Sequence, residues 1–226
     1  MWKDFLDLLF PNYCQMCRES LERGEKLICL HCHYHLPFAN YHQMAESPLM
    51  KRFAGKVQLQ YAIAYLKFTK EGKVQHLLHQ LKYNNKPEIG DLMGQWYAKE
   101  LQESSLHKAF DLILPVPLHP SRLRKRGYNQ SDTFARGLSE GLQVEWHATI
   151  LKRNVASSTQ TRKKRLDRWK NVEKIFEVAL PEKVAGRRIL LVDDVITTGS
   201  TVEACVKVLQ EAGCREVSIA AIAAAQ

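Results

Sequence analysis

The chain has 226 residues, a formal charge of +9 and 45% apolar residues. That is enough for one α/β domain with a small appendage, and too much apolar content for a disordered chain. No apolar run approaches the roughly 18 residues that a membrane span needs, so membrane insertion is not expected.

The first residues, Trp2 to Phe10, are an apolar stretch interrupted by charges; they lack a signal-peptide cleavage pattern and stop at Pro11. They predict a short amphipathic helix and a cytoplasmic location. Four of the six cysteines follow as Cys14-Gln-Met-Cys17 and Cys29-Leu-His-Cys32. Two C-x-x-C knuckles at this separation aim four thiolates at one tetrahedral ion, a zinc-ribbon arrangement with a structural zinc. Two disulfides are the competing reading, disfavoured in a reducing compartment. Redox thiols are the other, and they want a thioredoxin-like context that is absent here. His31, His33 and His35 read as surface residues or as neighbours of the ligands. Residues 37–56, with Pro37, Pro48 and Gly55, read as a connector holding at most one short helix. The expected division is 1–56 for helix, zinc ribbon and connector, and 57–226 for the main domain.

Tyr61 to Phe68 has strand composition. Val74, Leu77, Leu78 and Leu81 follow helical spacing, with Lys82 and Tyr83 at the helix end as candidates to face a ligand cleft. A second helix is expected near 91–103. Asp111 to Pro117 reads as a buried strand whose prolines stop the ladder and stiffen the exit. The next stretch carries Arg122, Arg124, Lys125 and Arg126 ahead of a helix near 129–141. A rigid turn followed by guanidiniums suits a pyrophosphate.

Residues 152–170 carry eight Lys or Arg against the single acid Asp167. So basic a stretch suits a polyanionic ligand, a pyrophosphate or a nucleic acid backbone, with Trp169 available to stack on a base. Ile189 to Val192 reads as a buried strand ending in Asp193 and Asp194. The small-residue loop Thr197-Thr198-Gly199-Ser200-Thr201 then opens a helix with Val202, Cys205, Val206 and Leu209 on one face. Such a loop, at the carboxyl end of a strand and the positive end of a helix, binds phosphate. It is not a Walker loop, because no Lys follows the glycine. The two carboxylates suit ribose hydroxyls, directly or through Mg²⁺. Gly213 predicts the helix C-cap, 217–225 a last strand, and Cys205 and Cys214 structural thiols.

The stretch from Leu190 to Thr201 resembles the phosphoribosyl pyrophosphate (PRPP) signature of type I phosphoribosyltransferases. Together with the Pro115-Val-Pro117 exit, the Arg126-Gly-Tyr-Asn-Gln130 run and the paired C-x-x-C knuckles, the whole chain looks like the ComF family of competence proteins, which includes ComFC- and GntX-type members. The resemblance implies a doubly wound, type I phosphoribosyltransferase-like sheet with an N-terminal zinc ribbon. By position it puts Asp193 and Asp194 on ribose hydroxyls or Mg²⁺ as the catalytic pair, and Thr197, Thr198, Gly199, Ser200 and Thr201 around the 5′-phosphate. Pro117, Arg122, Arg124, Lys125 and Arg126 fall in the pyrophosphate loop. Gln160, Thr161, Arg162, Arg165 and Trp169 fall in the mobile lid or on DNA. It further implies PRPP as ligand, single-stranded DNA as a partner during natural transformation, and a competence helicase nearby. Whether such a chain turns PRPP over, or is a non-catalytic DNA-binding adaptor on the same scaffold, is open at this point.

Overall fold

A computed structural model describes residues 12–106, 108–154 and 175–225. The expected helix within 2–10 and the lid or DNA residues Gln160, Thr161, Arg162, Arg165 and Trp169 lie outside the described residues.

Four strands, β1 (Ala62–Phe68), β2 (Leu112–Pro115), β5 (Arg188–Ile196) and β6 (Glu216–Ala225), form one parallel sheet in the order β1-β6-β5-β2. A two-stranded antiparallel pair, β3 (Leu151–Arg153) and β4 (Phe176–Val178), stands apart. The central strand β6 is buried from Val217 to Ala224, as a strand covered on both faces must be. Its run of alanines leaves room for the elements that cover it.

The described residues hold seven α-helices: α1 (Leu30–Tyr34), α2 (Pro48–Phe53), α3 (Lys73–Tyr83), α4 (Glu88–Gln102), α5 (Pro120–Arg126), α6 (Gln130–Leu142) and α7 (Ser200–Glu211). Helix α6 packs on β2, β5 and α4, whereas α7 packs on β5, β6 and β4. The α4–α6 contact is unusually close because glycines face it from both sides. A Cβ on Gly94 would lie 2.5 Å from Phe134 O, and one on Gly137 would lie 2.2 Å from Asp91 O. Arg136 clamps the same seam, donating to both oxygens of Asp91 at 2.7 Å. This fixes α6, whose first residues Gln130 and Ser131 line a cleft at the edge of the sheet.

Both sheet edges are occupied. Along β1, Ala39 N–H donates to Tyr65 O at 2.9 Å and Lys67 N–H to Pro37 O at 2.8 Å. Along β2, Ile113 N–H donates to Glu145 O at 2.9 Å and His147 N–H to Ile113 O at 3.2 Å. The connector does contain one short α-helix, α2, capped by Ser47, whose Oγ accepts from Met50 N–H and donates to Ala62 O. The buried side chains form one continuous core that reaches from Cys14, Met16 and Phe53 into the sheet.

Two expectations change in detail. β5 does not end before the acidic pair but stays paired through Ile196, so both carboxylates project from a strand and are held rigidly. The stretch after Pro117 is not a loop throughout. Pro120 sits in the first turn of α5, His119 caps it and Gly127, at φ 82°, closes it; these are ordinary helix start and stop signals.

Candidate functional site

The carboxyl ends of β1, β2 and β5, with α3, α5 and the start of α6, enclose a cleft of about 420 Å³. Asp193 and Asp194 form part of its floor. Successive strand residues point to opposite faces, so the two carboxylates meet different partners. Asp193 Oδ1 accepts from Ser131 Oγ at 3.1 Å and from Asp194 N–H at 2.8 Å. Asp194 Oδ1 lies 3.0 Å from Lys82 Nζ. Burial, reinforced by the charge of Asp194, pushes the Asp193 carboxyl up to about 7 against the opposing pull of those donors and Lys82. Asp193 therefore carries its full negative charge only above about pH 7.

Beyond Ile196 the chain turns through Thr197 to Thr201, lining a small hollow of about 50 Å³ at the start of α7. Gly199 is the N-cap of α7 at φ 84°, ψ −2°, in the left-handed region where glycine is favoured. It is pinned as well, since a Cβ there would lie 2.7 Å from Phe53 Cζ. The N-cap Gly199 has no side chain to offer, and Ser200 N–H reaches Thr198 Oγ1 only at 3.5 Å, so the start of α7 can still turn N–H groups toward an anion.

The facing wall comes from three separate segments. Pro117, Arg122 and Arg126 line it from the strand exit and α5. Arg124 and Lys125 do not; they are exposed on other faces of α5. The helix explains the split in part, because positions 122 and 126 are four apart and share a face, from which 124 points away. Arg126 donates to Gln130 Oε1 at 2.7 Å and to Tyr83 Oη at 3.3 Å, and its guanidinium stands 5.0 Å from the centre of the Tyr83 ring. Asn129 caps α6 and ties it to β2, its Nδ2 donating to Val116 O at 3.0 Å. Gln75, His79, Lys82 and Tyr83 enter from α3, and Arg153 from β3.

Of the residues singled out from sequence, Asp193, Asp194, Thr197, Thr201, Pro117, Arg122 and Arg126 line one cleft. Thr198, Gly199 and Ser200 complete the adjoining hollow. Lys82 and Tyr83 do face the cleft. Arg153 and Ser131 were not singled out for it. Arg153 was one cation in a long basic run, and Ser131 an ordinary first-turn serine; neither carried a distinguishing signal.

At the other end of α3, the sulfurs of Cys14, Cys17, Cys29 and Cys32 all lie within 4.8 Å of one another and could hold a metal ion. Cys17 Sγ and Cys29 Sγ are 3.7 Å apart. A tetrahedral ion with Zn–S bonds of about 2.3 Å needs sulfurs about 3.8 Å apart, so the cluster fits. Burial raises the Cys14 thiol, but N–H groups of Cys17, Cys29 and Met16 outweigh it and bring the thiol down to about 7. Burial and then the neighbouring sulfurs push Cys32 up, an effect that a cation among the sulfurs reverses. The first knuckle is moored to α3. His76 Nδ1 donates to Gln15 O at 3.0 Å, which leaves Nε2 to accept from Arg18 at 3.1 Å. His33, expected on the surface or beside the metal ligands, stacks on Trp96 with ring centres 4.0 Å apart.

A parallel sheet with an acidic pair and an open helix N-terminus at its carboxyl edge, faced by arginines, defines a phosphoribosyltransferase-type α/β protein. In agreement, residues 122–226 match the phosphoribosyl transferase domain family. The chain is 29% identical to the DNA utilization protein YhgH of Shigella flexneri over 94% of this chain and 96% of that one. It is 37% identical to competence protein F of Haemophilus influenzae over 57% of this chain and 55% of that one. With competence protein ComFC of Streptococcus pneumoniae it shares 29% identity over 66% and 63% of the two chains. These similarities support a ComF-type, phosphoribosyltransferase-like protein. No helix among the described residues is long and apolar enough to cross a membrane.

Proposed function

We propose that the cleft binds PRPP together with Mg²⁺, and that the protein brings this site to single-stranded DNA during DNA uptake. The observation that carries the reading is the convergence, on one cleft of about 420 Å³ and its adjoining hollow, of three kinds of group. Asp193 and Asp194 supply hard oxygen donors for ribose hydroxyls or the cation. The Thr197–Thr201 turn offers N–H groups and hydroxyls to the 5′-phosphate. Arg122, Arg126 and Arg153 present planar donor forks to the pyrophosphate. Mg²⁺, when bound, neutralises the pyrophosphate as a leaving group. Lys82 holds Asp194 in the meantime and offsets part of the negative charge of the pair.

Titrating PRPP into the protein by calorimetry with and without Mg²⁺, then with a short single-stranded DNA, tests this. Saturable binding that needs Mg²⁺ is the expected result; no heat under any condition overturns it. Pyrophosphate release when DNA is added identifies phosphoribosyl transfer, and binding without release makes the protein a ligand-sensing adaptor. DNA binding has its own support in the exposed Arg122, Arg124 and Lys125 on α5, beside Tyr83, which is 56% exposed and able to stack on a base.

The four-cysteine cluster holds a structural zinc on this reading, because four thiolates leave no open coordination position. Metal analysis of the reduced protein is expected to find about one zinc per chain. Replacing Cys32, buried at 1% exposure, with Ser removes the ion and lowers the melting temperature. Full metal content in that variant excludes Cys32 as a ligand.

A further inference from the structure

The connector reaches the phosphate hollow without touching its contents. Arg52, on the last turn of α2, lines neither the cleft nor the hollow. Its Nη1 donates to Thr197 O and, at 3.5 Å, to Ile196 O; its Nη2 donates to Ala225 O. Sheet pairing between β5 and β6 ends at Ile196 and Ala224, so these carbonyls lie where the ladder stops supplying partners. One guanidinium, with five donors in a fixed fork, takes the place of the missing strand. The next residue, Phe53, is 2% exposed and packs over Gly199.

We propose that Arg52 and Phe53 are positioning residues that preset the phosphate-binding turn. The inference rests on the reading of Thr197–Thr201 as the 5′-phosphate site. Every described peptide bond is trans, and in a trans peptide the C=O and N–H point in opposite directions. Holding the Thr197 carbonyl toward α2 therefore turns the Thr198 N–H away from α2, and that N–H has no acceptor among the described residues. Phe53 then fixes Gly199 from behind, in its left-handed conformation. The ordering cost of the turn is met on folding instead of on binding, which is how a preorganised site gains affinity. The N-terminal part of the chain thus acts on the ligand site through the backbone.

The variants Arg52→Met, which keeps the apolar stem and loses every donor, and Arg52→Lys test this. Amide hydrogen exchange across 196–202, measured without ligand, is expected to quicken at least tenfold in Arg52→Met and less in Arg52→Lys. Ribose 5-phosphate affinity is expected to fall about tenfold in Arg52→Met, with partial recovery in Arg52→Lys. Inorganic pyrophosphate, which meets the arginine wall, keeps its affinity. A general loss of stability moves both ligands alike, and that pattern overturns the proposal. Unchanged exchange overturns it whatever the ligands do. If the wild-type protein binds neither probe, the reading of the cleft fails, and the exchange comparison still decides whether Arg52 orders the turn.

Discussion

Replacing Asp193 with Asn is expected to raise thermal stability at pH 8 and to remove the proposed Mg²⁺-dependent PRPP binding. The Asp193 carboxyl stands at about 7 in the folded protein, first because of burial and then because of Asp194. In the unfolded chain it returns to the ordinary Asp range near 4. The folded state therefore holds its proton more tightly between those values, and stability falls as pH rises through that window. Above about pH 7 the buried charge is a standing cost, on the order of 4 kcal/mol; below about pH 4 it is absent. Asn keeps an oxygen that accepts from Ser131 and Asp194 N–H and carries no charge. The gain is expected at pH 8 and not at pH 4, read from paired thermal melts. For the same reason, metal-dependent binding to the wild type is expected to strengthen as pH rises through about 7. Asp194→Asn, which loses the ion pair with Lys82, is expected to lower the proposed PRPP affinity by about 100-fold or more, or about 2.7 kcal/mol. A wild-type affinity in either variant means that the acidic pair is not the ligand site.

The second large effect lies far from any ligand. Gly137→Ala places a Cβ 2.2 Å from Asp91 O and 3.0 Å from Gln95 N, both backbone atoms that cannot move aside singly. Helices α4 and α6 must separate, at a cost on the order of 3 kcal/mol, or a melting temperature lower by about 10 °C for a chain of this size. Gly141→Ala differs in kind, because its Cβ meets the Cβ of Ala98 at 2.3 Å. Adding Ala98→Gly relieves that clash, so the double variant recovers part of the loss, less the helix cost of a new glycine. No comparable partner exists for Gly137. If both glycine variants melt like the wild type, the helices are not packed at this distance.

The central signature was legible because its parts are contiguous. An apolar strand, two acids, a small-residue turn and an amphipathic helix occupy a single run from Ile189 to Leu209, and local pattern reports local structure well. The four cysteines were legible for the same reason. What the sequence hid was mostly non-local. Arg153 and Ser131 come to the cleft from elements whose approach depends on the whole sheet order. Arg52 sat in a connector with no periodicity, and its partners are carbonyls, which leave no trace in side-chain chemistry. The glycines of α4 and α6 lower helix propensity when read singly; their spacing gains meaning only when the two helices face each other. The α5 helix was a different kind of miss. Pro120 and Gly127 marked its ends, but the arginines between them read more readily as a binding loop, and the helix then divides those arginines between two faces.

The occupied edges of the sheet have a consequence for the behaviour of the protein in concentrated solution. A four-stranded parallel sheet has two borders where unpaired N–H and C=O groups can recruit a strand from another molecule. Here residues 37–39 take up part of one border and residues 145–147 part of the other. Both are brief, irregular stretches, too short to template a further strand in their turn. Strand addition is thereby hindered at both ends. A variant that deletes residues 37–39 uncovers the Tyr65–Lys67 border of β1, and the expected outcome is precipitation on concentration before any loss of helical signal.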